Sequence, residues 1–238
     1  MSGPETIHQA ARAADVAALR AFLDKDPSAL ELVEGEYSSF KFTPFLSGAS
    51  HKCIVEELHR RGANVNAVDA TGRNAAHLVV AGGGQAVMEK LQVLHDVGVH
   101  MSVVSKRQMT PLSMVMVKTL SPSIARALIS WSDVDVDAGV PRPLAQVCAT
   151  RYGGDALEMP ILRQLLHRGA ADFSPELDDH PPILDLVQKG STARFRLMVA
   201  YGARIPSDAI AVELRQGHDA THVGGLLVAH GSVVRPLV

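Results

Sequence analysis

Aromatic residues are scarce in this 238-residue chain: six Phe, three Tyr and one Trp, Trp131, or 4% in all. A core built on large rings is excluded. The 47% hydrophobic share rests instead on small and aliphatic side chains, which let helices approach closely. Cysteine is scarcer still, at two, Cys53 and Cys148, too few and too far apart for a disulfide framework. Each sits in an apolar helical stretch and is expected to be a buried, reduced thiol. Neither sign of charge dominates, since 23 Lys and Arg face 25 Asp and Glu for a net charge of −2. The balance offers no electrostatic reason to bind nucleic acid or an anionic membrane. No run approaches about 18 uninterrupted apolar residues, so no membrane-spanning helix is expected. The opening Met1-Ser2-Gly3-Pro4-Glu5-Thr6 has no basic region followed by an apolar run, unlike a secretory signal. The expected location is the cytoplasm, which an effector exported without a cleaved signal would share at first.

Catalytic patterns are missing too. There is no phosphate-binding loop; Gly82-Gly83-Gly84 lacks both the lysine and the preceding strand. There is no nucleophile elbow and no His-Glu-x-x-His. His218 and His222 are four apart, as two metal ligands on one helical face would be, but Gly217 and Asp219 weaken a helix there and no Glu lies between them. Asp133, Asp135 and Asp137 alternate like part of a calcium loop, yet the loop glycine and the distal Glu are not at the required offsets. The chain is therefore expected to be no enzyme, with no catalytic residues, no cofactor and no metal.

What the sequence does contain is a period. Thr43-Pro44-Phe45-Leu46 returns as Thr110-Pro111-Leu112-Ser113. Weaker copies are Thr6-Ile7-His8, Asn74-Ala75-Ala76-His77, Arg142-Pro143-Leu144 and Pro181-Pro182-Ile183-Leu184. The starts at 6, 43, 74, 110, 142 and 181 give steps of 37, 31, 36, 32 and 39. A second phrase interleaves with the first. Its best copy is Leu58-His59-Arg60-Arg61-Gly62-Ala63-Asn64-Val65-Asn66, and its glycines recur at 62, 98, 169, 202 and 231, with Ser132 in the vacant slot. Thr-Pro suits a helix start, because Thr accepts backbone N–H bonds and Pro fits the first turn. The glycine suits a helix end, where a left-handed residue is wanted. Repeats of this length are read before any other feature, since each is one supersecondary unit.

These phrases resemble those of the ankyrin-repeat family, whose units open on Thr-Pro-Leu-His and close on Gly-Ala-Asp-Val-Asn. The resemblance covers about Thr6 to Gly231. It is strongest over Thr43–Asn66 and Asp69–His77 and weakest over Asp133–Ala156 and after Ile205. It implies an all-α fold, an ankyrin-repeat solenoid of stacked helix-turn-helix units with short projecting β-turn fingers. One domain, 1–238, would hold units at 4–36, 40–66, 71–101, 107–133, 140–173 and 178–204, with a partial cap at 206–232. The histidine of the opening phrase, His8 or His77 here, would tie its turn together through both ring nitrogens. Extra residues at Gly82-Gly83-Gly84 and Arg151-Tyr152-Gly153-Gly154-Asp155 would lie on one side, as contact loops or as plain drift.

The resemblance also implies a function: a non-catalytic protein–protein interaction module, whether adaptor, inhibitor or effector, that holds a protein partner on its concave finger and first-helix surface. The competing readings are an accessory subunit of an enzyme and an enzyme with a site hidden between repeats. Mapped onto this chain, the fingers carry Phe40, Lys41 and Phe42, then Asp69, Thr71 and Arg73, then Lys106, Arg107 and Met109, the candidate protein-binding residues. Later fingers fall at Gly139, Pro141 and Arg142 and at Asp178, Asp179 and His180. A Phe anchor ringed by Lys41, Arg73, Lys106 and Arg107 has an apolar centre and a charged rim, as interfaces do. The alternative is that Phe40 and Phe42 pack against the next unit. The basic rim points to another protein with an acidic surface as partner, with no nucleic acid and no membrane, and to a monomer when unbound. Met114 and Met116, at helical spacing, are expected in the core.

Overall fold

The computed structural model describes residues 4–34, 40–84, 86–118, 121–149, 155–170, 182–188 and 191–203. The expected cap at 206–232, His218 and His222, the 178–180 finger and residues 151–154 lie outside them. The chain divides into two compact units, Met1–Pro141 and Arg142–Val238. Among the described residues every assigned element is helical, and no helix is long and apolar enough to cross a membrane.

Four helix pairs make up the first unit: α1 (Ile7–Arg12) with α2 (Val16–Lys25), α3 (Pro44–Ser47) with α4 (Lys52–Arg60), α5 (Ala75–Gly82) with α6 (Val87–Asp96), and α7 (Pro111–Lys118) with α8 (Pro122–Ser130). First helices pack on first helices, α1 on α3, α3 on α5 and α5 on α7. Second helices follow the same order in a parallel layer, α2 on α4 on α6 on α8. No pair can bury its apolar stripe alone, so the core is a row of boundaries rather than one centre. Leu19, Leu23, Phe45, Ile54, Leu58, Leu91, Leu94, Leu112, Leu128 and Ile129 fill it. The second unit contains α9 (Pro143–Ala149), α10 (Asp155–His167), α11 (Pro182–Gln188) and α12 (Thr192–Ala200), with α9 on α11 and α10 on α12.

The opening phrases act as helix starts by hydrogen bonding. Thr6 accepts from the Gln9 N–H, Thr43 from the Leu46 N–H and Thr110 from the Ser113 N–H. Asn74 does the same for His77 at the head of α5. At the far end of α4, Gly62 adopts φ +86°, which lets the Ala63 N–H turn back onto the Leu58 carbonyl at 3.0 Å. The units are then tied side to side by the loops after the glycines. The Asn66 amide donates to Gly98 O and accepts from the His100 N–H, and Ser102, four residues past Gly98, bridges Asp133 O and the Asp135 N–H in the same way.

Both histidines of the opening phrase cross a boundary. His77 Nε2 donates to the Met109 carbonyl at 2.9 Å, while its Nδ1 closes a capping box with the Asn74 N–H. Burial, with Arg73 nearby, holds the ring below the usual histidine range. His8 makes the matching contact, Nε2 to Phe42 O at 3.0 Å and to Leu32 O at 2.9 Å. In the Thr-Pro-Leu-His phrase of the family the histidine stands fourth, as His77 does after Asn74. With Thr6 as cap, His8 stands third in its phrase, and it reaches the same acceptor one position earlier on the helix.

Cys148 is buried, but Cys53 is exposed, against expectation. The buried stripe of α4 is Ile54, Val55 and Leu58, and Cys53 precedes it on the solvent side. Beside that stripe Glu57, 4% exposed, accepts from Arg60 (2.5 Å), Arg20 (2.9 Å) and Arg61 (3.1 Å). In the second unit a buried pair, Arg194 with Glu158, is braced by Arg194 donating to Ser191 Oγ and Val147 O.

Two stability predictions follow from these contacts. The hydrogen bonds from Arg60 and Arg20 pull the Glu57 carboxyl from 4.5 to about 2 against the cost of burial. Its contribution is therefore complete above about pH 4.5 and lost as pH falls toward 2. Allowing for arginines that are a quarter to two-thirds exposed, Glu57→Gln should cost about 2 kcal/mol in urea unfolding at pH 7. The deficit against wild type should shrink as the pH is lowered through this window. His77→Leu should cost about 2–4 kcal/mol, since it strands the Met109 carbonyl and the Asn74 N–H without partners.

Candidate functional site

In the first unit, among the described residues, the chain between the second helix of one pair and the first helix of the next turns back on itself at three places, the fingers. Each finger closes on itself through one backbone bond: Glu34 N to Phe42 O, Asp69 N to Arg73 O and Ser105 N to Met109 O, at 2.8–2.9 Å. The fingers are therefore in register. Phe40, Thr71 and Arg107 hold one equivalent place, and Phe42, Arg73 and Met109 another. Neighbouring fingers are bonded to each other, Ala70 N to Phe40 O at 2.8 Å and Lys106 N to Thr71 O at 2.9 Å. Lys41, Gly72 and Gln108 share the turn position, each with positive φ (+54°, +77° and +59°).

The second finger is organised by Asp69, whose side chain is fully buried. Its Oδ1 accepts from the Thr71 N–H (2.7 Å), the Thr71 hydroxyl (2.6 Å) and the Arg73 N–H (2.9 Å), and its Oδ2 from Arg73 Nε (2.9 Å). Burial alone would raise this carboxyl; the bonds from Thr71 and Arg73 outweigh it and hold the group below the usual carboxylate range. Asp69 thus shapes the finger from beneath it. Arg73, anchored at one edge by Asp69, lays its guanidinium over the Phe40 ring, 5.2 Å from the centroid. Phe40 in turn stacks on Phe42, with centroids 5.7 Å apart, and remains 45% exposed.

A groove of about 210 Å³ opens beside this stack, lined by Phe40, Thr71, Arg73, Ser105, Arg107, Met109 and Met114. Five of the nine sequence-derived residues line it: Phe40, Thr71, Arg73, Arg107 and Met109. Phe42 stands behind Phe40, Lys41 and Lys106 stand exposed beside the groove on the finger turns, and Asp69 is the buried post. Reasoning from sequence missed Ser105 and Met114. Ser105 is equivalent to Asp69, and its hydroxyl accepts from the Met109 N–H. Met114 is a core residue, as expected from its spacing, whose remaining exposed surface forms the floor.

Arg73 is paired, but Lys41, Lys106 and Arg107 have no carboxylate partner among the described residues. Arg107 lines the apolar floor, and Lys41 and Lys106 are exposed next to the lining residues Phe40 and Arg107 in sequence. No three His, Cys, Asp or Glu side chains among the described residues come together as metal ligands would. Of the alternating aspartates, Asp133 pairs with His95 and Asp135 accepts from the Asp137 N–H.

No protein-family model matches the chain, and no curated protein matches it by sequence. Solved structures do. One is an ankyrin repeat domain from Acinetobacter baumannii AYE, 20% identical, with a TM-score of 0.65 over 83% of this chain and 98% of that one. Another is the ankyrin repeat domain of Bcl-3, a member of the IkappaB protein family, 18% identical, with a TM-score of 0.69 over 96% of this chain and 100% of that one. Likeness at this level establishes the fold, which is that of ankyrin repeats.

The second finger yields a paired prediction. A Cβ on Gly72 would lie 3.2 Å from the Lys106 backbone nitrogen while φ stays at +77°. Gly72→Ala should therefore cost about 1–2 kcal/mol in urea unfolding. Lys41→Gly, at the same place in the first finger, should change stability by less than about 0.5 kcal/mol, because relief of the left-handed strain offsets the added freedom of the unfolded chain.

Proposed function

With the ankyrin-repeat fold as premise, we propose that this chain is a non-catalytic protein–protein interaction module, an adaptor, inhibitor or effector. It binds its partner on the fingers and first helices of the first unit. The observation that carries this reading is the finger groove: an exposed Phe40 held in place by Arg73, with Lys41, Lys106 and Arg107 unpaired beside it. Unpaired cations around an apolar centre cost nothing while solvated, and they gain when an acidic surface arrives. The partner is accordingly a protein with an acidic surface, and the chain is a monomer in the cytoplasm when unbound.

The register of the fingers supports the same reading. Side chains at equivalent places form two rows, Phe40–Thr71–Arg107 and Phe42–Arg73–Met109, on a backbone whose fingers are bonded to one another. A surface rigid before binding gives up little conformational entropy on association.

The immobilised 238-residue chain should capture a defined set of proteins from the source cell. The double reversal Lys106→Glu/Arg107→Glu should lose that set with an unchanged circular dichroism spectrum. Lys52→Glu, on the exposed side of α4, should retain it. Recovery of the same set by the double reversal would show that the fingers are not the binding surface.

A further inference from the structure

The finger backbone limits how a partner can be held. In the second finger every N–H from Asp69 to Arg73 is already bonded: Asp69 to Arg73 O, Ala70 to Phe40 O, Thr71 and Arg73 to Asp69 Oδ1, and Gly72 to Asp69 O. In the third, the N–H groups of Ser105, Lys106, Gln108 and Met109 are bonded as well. Strand addition needs a row of free backbone donors as well as acceptors, and among the described residues the second and third fingers present no such row of donors. Recognition here must run through side chains.

The side chains fall into two kinds. Phe40, Met109 and Met114 give the groove an apolar floor. Its volume of about 210 Å³ is below the roughly 300–1,000 Å³ of small-molecule sites, and is suited to one inserted side chain. The hydroxyl of Thr71 is turned inward to Asp69 and that of Ser105 accepts from the Met109 N–H, so both hydroxyls are already engaged within the fingers. Arg73 is neutralised along one edge by Asp69. Arg107 is the groove-lining cation that has no carboxylate partner among the described residues, and Lys106 precedes it.

Building on the protein-binding reading, we infer that this groove takes a short acidic segment of the partner. One apolar side chain of that segment enters between Phe40, Met109 and Met114, and a carboxylate from a residue close to it in sequence pairs with Arg107. A guanidinium accepts a carboxylate through two parallel hydrogen bonds, which fixes the position of the acid relative to the anchor. The apolar anchor supplies affinity; the acid supplies register and a faster encounter.

The test is a selection from random dodecapeptides displayed on phage, panned on the full chain. Selected peptides are then measured by fluorescence anisotropy against wild type, Arg107→Gln and Met109→Ala. Enriched peptides should carry Asp or Glu within three residues of Leu, Ile, Met or Phe. Changing that acid to its amide should weaken binding at least tenfold on wild type and less than twofold on Arg107→Gln. Changing the anchor to Ala should weaken binding at least tenfold on wild type and less than threefold on Met109→Ala. Enrichment of peptides lacking either feature would overturn the assignment, as would an acid-to-amide cost that is equal on wild type and Arg107→Gln. A phosphoserine in place of the acid that bound more than tenfold tighter would also overturn it, in favour of a phosphopeptide. If no peptide is enriched while the double charge reversal still abolishes partner capture, the protein-binding reading stands and the short-segment inference falls. If capture survives that reversal, both fall.

Discussion

The first unit depends on a hydrogen bond that leaves its own repeat. His77 Nε2 reaches the Met109 carbonyl and His8 Nε2 reaches the Phe42 carbonyl, in each case the residue just ahead of the next helix start. Each bond anchors the base of the following finger to the preceding first helix. The histidines anchor the first and third fingers, and the second, shaped by Asp69, is bonded to both through Ala70 N to Phe40 O and Lys106 N to Thr71 O. An isolated helix pair has neither the acceptor nor the apolar neighbour, and so has no means of holding a finger in register.

Charge is arranged by the same logic, with different outcomes in different places. Glu57 is buried among Arg20, Arg60 and Arg61 and is fully engaged. Arg194 and Glu158 are buried together. At the second finger Asp69 is buried under Thr71 and Arg73. All three carboxylates shape local structure, since a buried charge without partners would be very costly. On the fingers, Lys41, Lys106 and Arg107 have no such partner among the described residues, and there solvent makes the omission inexpensive. The contrast separates residues that support the fold from residues available to a partner.

The pattern of helix starts was legible in the sequence because capping is local. Thr43 and Thr110 cap three residues ahead through their own hydroxyls, whatever the rest of the chain does. Gly62 was legible for the same reason, as a helix end that requires a left-handed residue. The acceptor of His8 was not, since it is 34 residues away. Cys53 looked apolar by its neighbours and proved exposed, because the face a helix buries is chosen by what lies against it. Asp69 had the look of a fingertip side chain; the turn draws its carboxylate inward, and the finger is built on it.

By itself the sequence determined a repeat of 31 to 39 residues and helix starts and ends such as Thr43, Thr110 and Gly62, since capping bonds span three to five residues; the all-α class came with the resemblance to ankyrin repeats. Tertiary structure alone decided that Phe40 lies under the Arg73 guanidinium, that Met114 is both core and groove floor, and that Arg107 is left unpaired while Arg73 is not. These outcomes depend on distances between residues some 30 positions apart. A periodic sequence places such residues in equivalent slots, but their contacts exist only once neighbouring units have packed.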